Sequence, residues 1–187
     1  MSNALLHPAQ AVHPSQPAIN GRTVVIRELT ADDRDQIVDL FEQLSDFDRY
    51  LRFFRTMPSY SSSVLDALTA MDGHSHVAVG AFVDGTCIGV IRYVRLSRRP
   101  TAAEVAVTVS SEFRGLGVAR RLMAALTELA QDHGVEHFEI DVLPANRAAA
   151  ALFRSLGFAM RFDSGSLVGS RPVRPEVDIP ANHWVAA

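Results

Sequence analysis

The sequence predicts an α/β (α+β) domain, and three observations carry that prediction. The hydrophobic period switches from helical to strand-like and back more than once along the 187 residues. Two β-rich runs, His76–Val83 and Thr86–Leu96, are joined by Asp84-Gly85, a strong short-range signal for a hairpin. A glycine-containing segment, Ser110–Ala119, then lies between a strand-like run and a helix-like one.

Residues 1–20 are rich in Pro, Ala, Ser and His without periodicity and read as a flexible tail; residues 173–187 read as a second one. The domain itself is read as residues 21–172. Thr23–Glu28 is a β-branched run that makes the first strand. Thr30 and Asp33 have capping-box spacing and open a helix with Ile37, Leu40, Phe41 and Leu44 on one face. The stretch 46–60 mixes aromatic and basic residues, among them Tyr50, Arg52, Phe53, Phe54 and Arg55, and contains Met57-Pro58. Ser62–Met71 is the next helix, stopped by Asp72-Gly73. After the hairpin and a loop at Ser97–Pro100, Ala102–Val109 alternates, with Glu104, Ala106 and Thr108 on one face and Val105, Val107 and Val109 on the other.

Arg120–His133 is helical, with Leu122, Met123, Leu126, Leu129 and Ala130 in its apolar stripe and Gly134 just past its end. Glu136–Leu143 returns as a strand. Pro144-Ala145-Asn146 opens a last helix that buries Ala149, Leu152, Phe153 and Leu156, and Gly157-Phe158 ends it before two short strands around Gly165.

Composition narrows the function. Hydrophobic residues make up 48% and charged residues 21%, which is the balance of a folded globular domain. A net charge of −3 provides no basic surplus for nucleic acid and suits a cationic substrate better. No stretch is apolar over the roughly eighteen residues a membrane span needs, and no signal-peptide pattern opens the chain, so no membrane partner is expected and the expected location is the cytoplasm. Cys87 is the only cysteine and stands in an apolar strand, where a small buried residue is expected. His74, His76, His133 and His137 show no zinc-site spacing, and no metal is expected.

The turn at Ser110–Ala119 has the makings of an anion site. The first amides of a helix lack intrahelical acceptors, glycine lets the backbone approach closely, and the helix dipole favours negative charge. No Gly-Lys-Ser/Thr follows, which excludes a P-loop, and Gly115-Leu116-Gly117-Val118-Ala119-Arg120 fails the dinucleotide-binding pattern.

Here a family resemblance becomes specific. Arg114-x-x-Gly117-x-Ala119 resembles the Arg/Gln-x-x-Gly-x-Gly/Ala motif of the GNAT superfamily of N-acetyltransferases. Downstream, Asn146-x-x-Ala149-x-x-Leu152-Phe153-x-x-Leu156-Gly157-Phe158 is similar to that family's second signature. The resemblance implies a mixed, mostly antiparallel twisted sheet of about six or seven strands flanked by about four helices. It implies acetyl-CoA as cosubstrate. Backbone groups of Val107, Thr108 and Val109 would accept the pantetheine arm, Arg114, Gly115, Leu116, Gly117, Val118, Ala119 and Arg120 would hold the pyrophosphate, and Asn146 and Phe153 would line the cofactor. Asn146 also reads as a plain helix cap.

Acetyl transfer to an amine needs the neutral amine, and a lysine is protonated at neutral pH, so a base is required. Glu104 is the candidate, because it precedes the phosphate turn on the same strand and shares its face with small residues; Glu139 and Asp141 are weaker ones. Many family members have tyrosine where this chain has Phe153, which cannot protonate a leaving thiolate. Leu44-Ser45, Arg49–Phe54, Ile91–Val94 and Ala103–Ala106 resemble the catalytic domain of Pat-type bacterial protein-lysine acetyltransferases. That points to a protein lysine as acceptor, with Arg52 and Arg55 placed to meet acidic groups. A small-molecule amine, or a CoA-binding sensor without turnover, are the alternatives.

Overall fold

The computed structural model describes residue 19, residues 21–56 and residues 59–174. Most of both expected tails, and Met57-Pro58, lie outside the described residues. Ile19 is buried and its backbone pairs with Arg22.

The elements run β1 (Val24–Glu28), α1 (Arg34–Glu42), α2 (Asp46–Phe53), α3 (Ser62–Thr69), β2 (His76–Val83), β3 (Thr86–Leu96), β4 (Arg99–Val109), α4 (Val118–Asp132), β5 (His137–Val142), α5 (Arg147–Ser155), β6 (Ala159–Asp163) and β7 (Ser166–Pro172). Short 3₁₀ turns at Ala31–Asp33 and Ser111–Phe113 precede α1 and α4. The seven strands form one sheet in the order β1-β2-β3-β4-β5-β7-β6. Neighbours are antiparallel except β4 and β5, which run parallel.

Period-two alternation distributes the sheet's apolar residues to two cores. Val77, Val79, Ile91, Tyr93, Ala103 and Val105 pack with Leu122, Met123 and Leu126 of α4 and Phe153 of α5. Ala78, Phe82, Cys87 and Val90 pack on the other face with Ile37, Leu40 and Phe41 of α1 and Leu68 of α3. Burial on both faces explains why β2 after His76 is apolar throughout rather than alternating. Each Leu, Ile or Phe so buried contributes about 1.5–3 kcal/mol.

The mixed sheet matches the expected class, with five α-helices among the described residues rather than about four. The added one is α2. It is capped by Ser45, whose Oγ accepts from the Asp48 amide at 3.1 Å, and ends at Phe54 with φ of 61°. None of its residues is fully buried: Phe47, Tyr50, Leu51 and Phe54 have helical spacing, but Phe47, Tyr50 and Phe54 stay exposed instead of joining the core. The Ser97–Pro100 loop is tighter than expected, because Leu96 already pairs with Arg99. The helix expected from Arg120 begins at Val118, with Gly117 as its N-cap.

Candidate active site

The site begins where the sheet opens. β4 and β5 pair only at Ala102↔His137, Ala103↔Phe138 and Glu104↔Glu139. On its other edge β4 stays paired to β3 as far as Val109, and β5 stays paired to β7 as far as Val142. Beyond Glu104 the two strands therefore part, and residues 105–109 of β4 have no β5 strand beside them. A β edge left in this state presents N–H and C=O groups that need partners. Val107, Thr108 and Val109 lie on it.

The chain continues from this edge into the glycine turn. Gly115 and Gly117 have φ of 75° and 79°, the left-handed region that a side chain disfavours. The Gly117 carbonyl accepts from the Arg121 amide at 3.2 Å, the first bond of α4. By helix geometry the amides of Val118, Ala119 and Arg120 have no acceptor within α4. Val118 buries its side chain and anchors the helix start, while Leu116 stays exposed.

Arg114 folds back from the turn. Its Nε donates to the Val109 carbonyl at 3.2 Å and its Nη1 stands 3.1 Å from Asp48 Oδ1 on α2. Burial pushes the Asp48 carboxyl up, but hydrogen bonds from Arg114 and Ser45 outweigh it and the net shift is downward. Arg120 lies half-buried and reaches the Ser155 carbonyl of α5 at 3.5 Å. Asn146 caps α5, its Oδ1 accepting from the Ala149 amide at 3.1 Å, so the cap role is filled. Phe153 is buried and meets the Phe158 ring edge-on at 5.1 Å, packing in the core.

Glu104 is the last β4 residue paired with β5 and is exposed. Opposite it on β3 stands Val94, and opposite Ala106 stands Arg92, so Glu104 and Arg92 share a face as diagonal neighbours. Burial lowers the pKa of both Arg92 and Arg52, and Glu104 raises both. Arg52, pulled down to about 9 by burial and by Arg92, remains charged at neutral pH. Glu139 is held by Arg99, with Nη1–Oε1 at 2.5 Å and Nη2–Oε2 at 2.8 Å, and is less available as a base than Glu104. Asp141 is exposed on the same strand.

Arg92 and Asp48 escaped the sequence reading as site residues. For Arg92 a signal existed, since it is the one charged residue within the otherwise apolar run Cys87–Val94. For Asp48 none did, because its partner Arg114 is distant in the chain.

Other candidates resolve structurally. Burial pushes the Cys87 thiol up to about 12, so it stays protonated. His133 Nδ1 is 2.7 Å from the Tyr93 hydroxyl. Among the described residues no group of three His, Cys, Asp or Glu is placed to hold a metal ion, and no helix is long and apolar enough to cross a membrane.

An open strand edge followed by two left-handed glycines and a helix N-terminus fits an extended ligand with amide groups at one end and a diphosphate at the other. Comparison with known proteins identifies the family. The profile of the acetyltransferase (GNAT) family matches residues 37–158. An acetyltransferase of Pseudomonas aeruginosa is 32% identical over 148 residues, covering 77% of this chain and 79% of that one. The acetyltransferase Pat of Mycolicibacterium smegmatis is 33% identical over 134 residues, covering 69% of this chain and 38% of that longer protein. The solved GNAT domain of S. lividans PAT superposes with a TM-score of 0.76 at 30% identity, covering 82% of this chain and 92% of that one. On this match of profile, relatives and fold, the protein belongs to the GNAT acetyltransferase family and is an acyltransferase with acetyl-CoA as its cosubstrate.

Proposed function

We propose that the protein is an N-acetyltransferase that acts on a primary amine by direct attack within a ternary complex, with Glu104 as general base. The observation that carries this reading is the parting of β4 from β5 immediately after Glu104, which sets a carboxylate at the inner end of the open edge and the glycine turn at its outer end. Acetyl-CoA supplies, when bound, an acyl carbon held in a thioester. Backbone groups of Val107, Thr108 and Val109 accept its arm, and the turn from Arg114 to Arg120 faces its diphosphate. Asn146, through its remaining amide group, and Phe153, through the wall it builds at α5, bound the same cleft.

The acceptor nitrogen forms a bond to the acyl carbon, the carbon–sulfur bond breaks, and the amine proton passes to Glu104 directly or through water. Phe153 donates no proton. A thiol with an ordinary pKa near 8.5 leaves as the thiolate without one.

A protein lysine is the leading acceptor, supported by the likeness to the S. lividans and M. smegmatis proteins. A small amine is the second reading, supported by the likeness to an L-2,4-diaminobutyric acid acetyltransferase of Streptomyces avermitilis, 35% identical over 97 residues. We assign the catalytic domain to residues 21–172, and the lone buried thiol of Cys87 fits the cytoplasm.

The test is Glu104→Gln. Thiol release from acetyl-CoA should fall by about 10²- to 10⁴-fold while calorimetric binding of acetyl-CoA is retained. Retained turnover would remove Glu104 from the mechanism. Binding without turnover in the wild-type chain, across small amines and lysine-bearing proteins, would instead indicate a sensor.

A further inference from the structure

On the sheet face that carries Glu104, two guanidinium groups lack a matching number of anions. Arg92 is half-buried, and its Nη1 donates only a long bond, 3.3 Å, to the Ala67 carbonyl on α3. Arg52 of α2 is close enough to feel the charges of both Arg92 and Glu104. It is half-buried, its guanidinium carbon lies 5.1 Å from the Phe53 ring centre, and its Nε is sequestered without a hydrogen-bond partner. Neither arginine forms a salt bridge among the described residues.

The nearby acids are otherwise engaged. Glu139 is committed to Arg99, Asp48 to Arg114 and Asp66 to Arg34. Glu104 is the acidic side chain that acts on both Arg52 and Arg92. His76 of β2, opposite Val94 and so on this face too, is buried with its Nε2 unpartnered. Burial lowers its pKa, and it adds no charge at neutral pH. Two positive charges thus face one negative charge in a half-buried spot. An unmatched buried charge is costly to keep, and the arrangement makes physical sense where a ligand completes it.

We propose that Arg52 and Arg92 form an anion subsite beside Glu104 that binds a carboxylate of the acceptor, so that the preferred acceptor is a primary amine with a carboxylate close to it. The proposal rests on the reading that the amine is acetylated at Glu104. Arginine suits the task because its planar fork matches a carboxylate in two directions at once. The shared chemistry has two sources: a free amino acid, or a lysine side chain with an acidic neighbour in a polypeptide.

Thiol release from acetyl-CoA by the full chain separates them. One pair of acceptors is lysine and cadaverine, which differ by the carboxylate. The other is a lysine peptide with Asp beside the lysine and its Asn twin. Wild type should favour the carboxylate-bearing member of at least one pair by about tenfold or more in kcat/KM, the effect of one charge-assisted hydrogen bond. The pair that responds identifies the source. The ratio should collapse towards one in Arg52→Gln and in Arg92→Gln, with Arg52→Lys keeping part of it. Parity in both pairs in wild type, which needs no variant to fold, overturns the proposal. So does a preference that survives both glutamine substitutions, or turnover confined to amines without a carboxylate. If no amine reacts and titration with acetyl-CoA is silent, acetyl transfer itself is refuted along with the subsite.

Discussion

The guanidinium of Arg114 stands 3.1 Å from the carboxylate of Asp48, and through this contact α2, the end of β4 and the glycine turn are held together. The pair is only partly buried, so its strength is that of a screened surface contact, about 0.2–1 kcal/mol. Its position matters more than its energy, because it sets where the turn stands before a ligand arrives. Asp48→Ala and Arg114→Ala should each weaken acetyl-CoA binding by about two- to fivefold in calorimetry. The double variant should bind no worse than Arg114→Ala alone. Tighter binding by Asp48→Ala would mean that the carboxylate repels the diphosphate more than it steadies the arginine.

Two glycines at opposite ends of α4 separate backbone strain from site loss. Gly117 and Gly134 have φ of 79° and 73°. A Cβ in that conformation costs about 1–2 kcal/mol, so Gly117→Ala and Gly134→Ala should lose similar stability in urea melts. Space is available at Gly134, where an added Cβ meets nothing within 4 Å. Gly117→Ala alone should also weaken acetyl-CoA binding. Equal affinities in the two variants would take the α4 N-terminus out of the binding site.

Arg27 holds Asp33 with two bonds, Nη1–Oδ2 at 2.8 Å and Nη2–Oδ1 at 2.6 Å, and lies 4.2 Å from the Phe82 ring centre. Asp33 Oδ2 also accepts from the Thr30 amide at 2.9 Å. Burial pushes the Asp33 carboxyl up, but the Arg27 and Thr30 bonds more than reverse it. Asp33→Asn should leave the arginine unmatched and destabilise the domain by about 3 kcal/mol in chemical denaturation. A loss under about 0.5 kcal/mol would show that the pair is replaceable by solvent.

Asp72 accepts backbone amides from His74, Ser75 and His76 at 2.7–2.8 Å, and these bonds hold its pKa down at about 2. A depressed carboxylate stabilises the fold fully above its unfolded pKa of about 3.9 and loses that contribution as pH falls through the folded value. The stability gap between wild type and Asp72→Asn should therefore be constant above about pH 5 and close between about pH 4 and 2. Urea midpoints across this range check it; a gap independent of pH would place the effect in the amide acceptor rather than the charge.

Much of the fold was legible because local patterns and burial agree. The alternation in β4 put Val105, Val107 and Val109 on one face and Glu104 on the other, and the structure packs the valines with α4. Asp84-Gly85 marked its hairpin, and both residues have positive φ. The exception is α2. Phe47, Tyr50, Leu51 and Phe54 do have helical spacing, but interleaved charges obscure it and most of the stripe stays exposed, although the helix carries both Asp48 and Arg52.

What the chain's own order determined is therefore local: which residues turn, which alternate, and where unpaired helix amides follow a strand, since these depend on neighbours a few positions away. What only tertiary structure decided is non-local. The insertion of β7 between β5 and β6, the parting of β4 from β5 after Glu104, and the meeting of Arg52, Arg92 and Glu104 join segments far apart in sequence. No short-range period encodes such meetings. They arise from the sheet's pairing order and from helices covering its two faces, and that packing turns a common strand–turn–helix into an open strand edge with a carboxylate at its inner end.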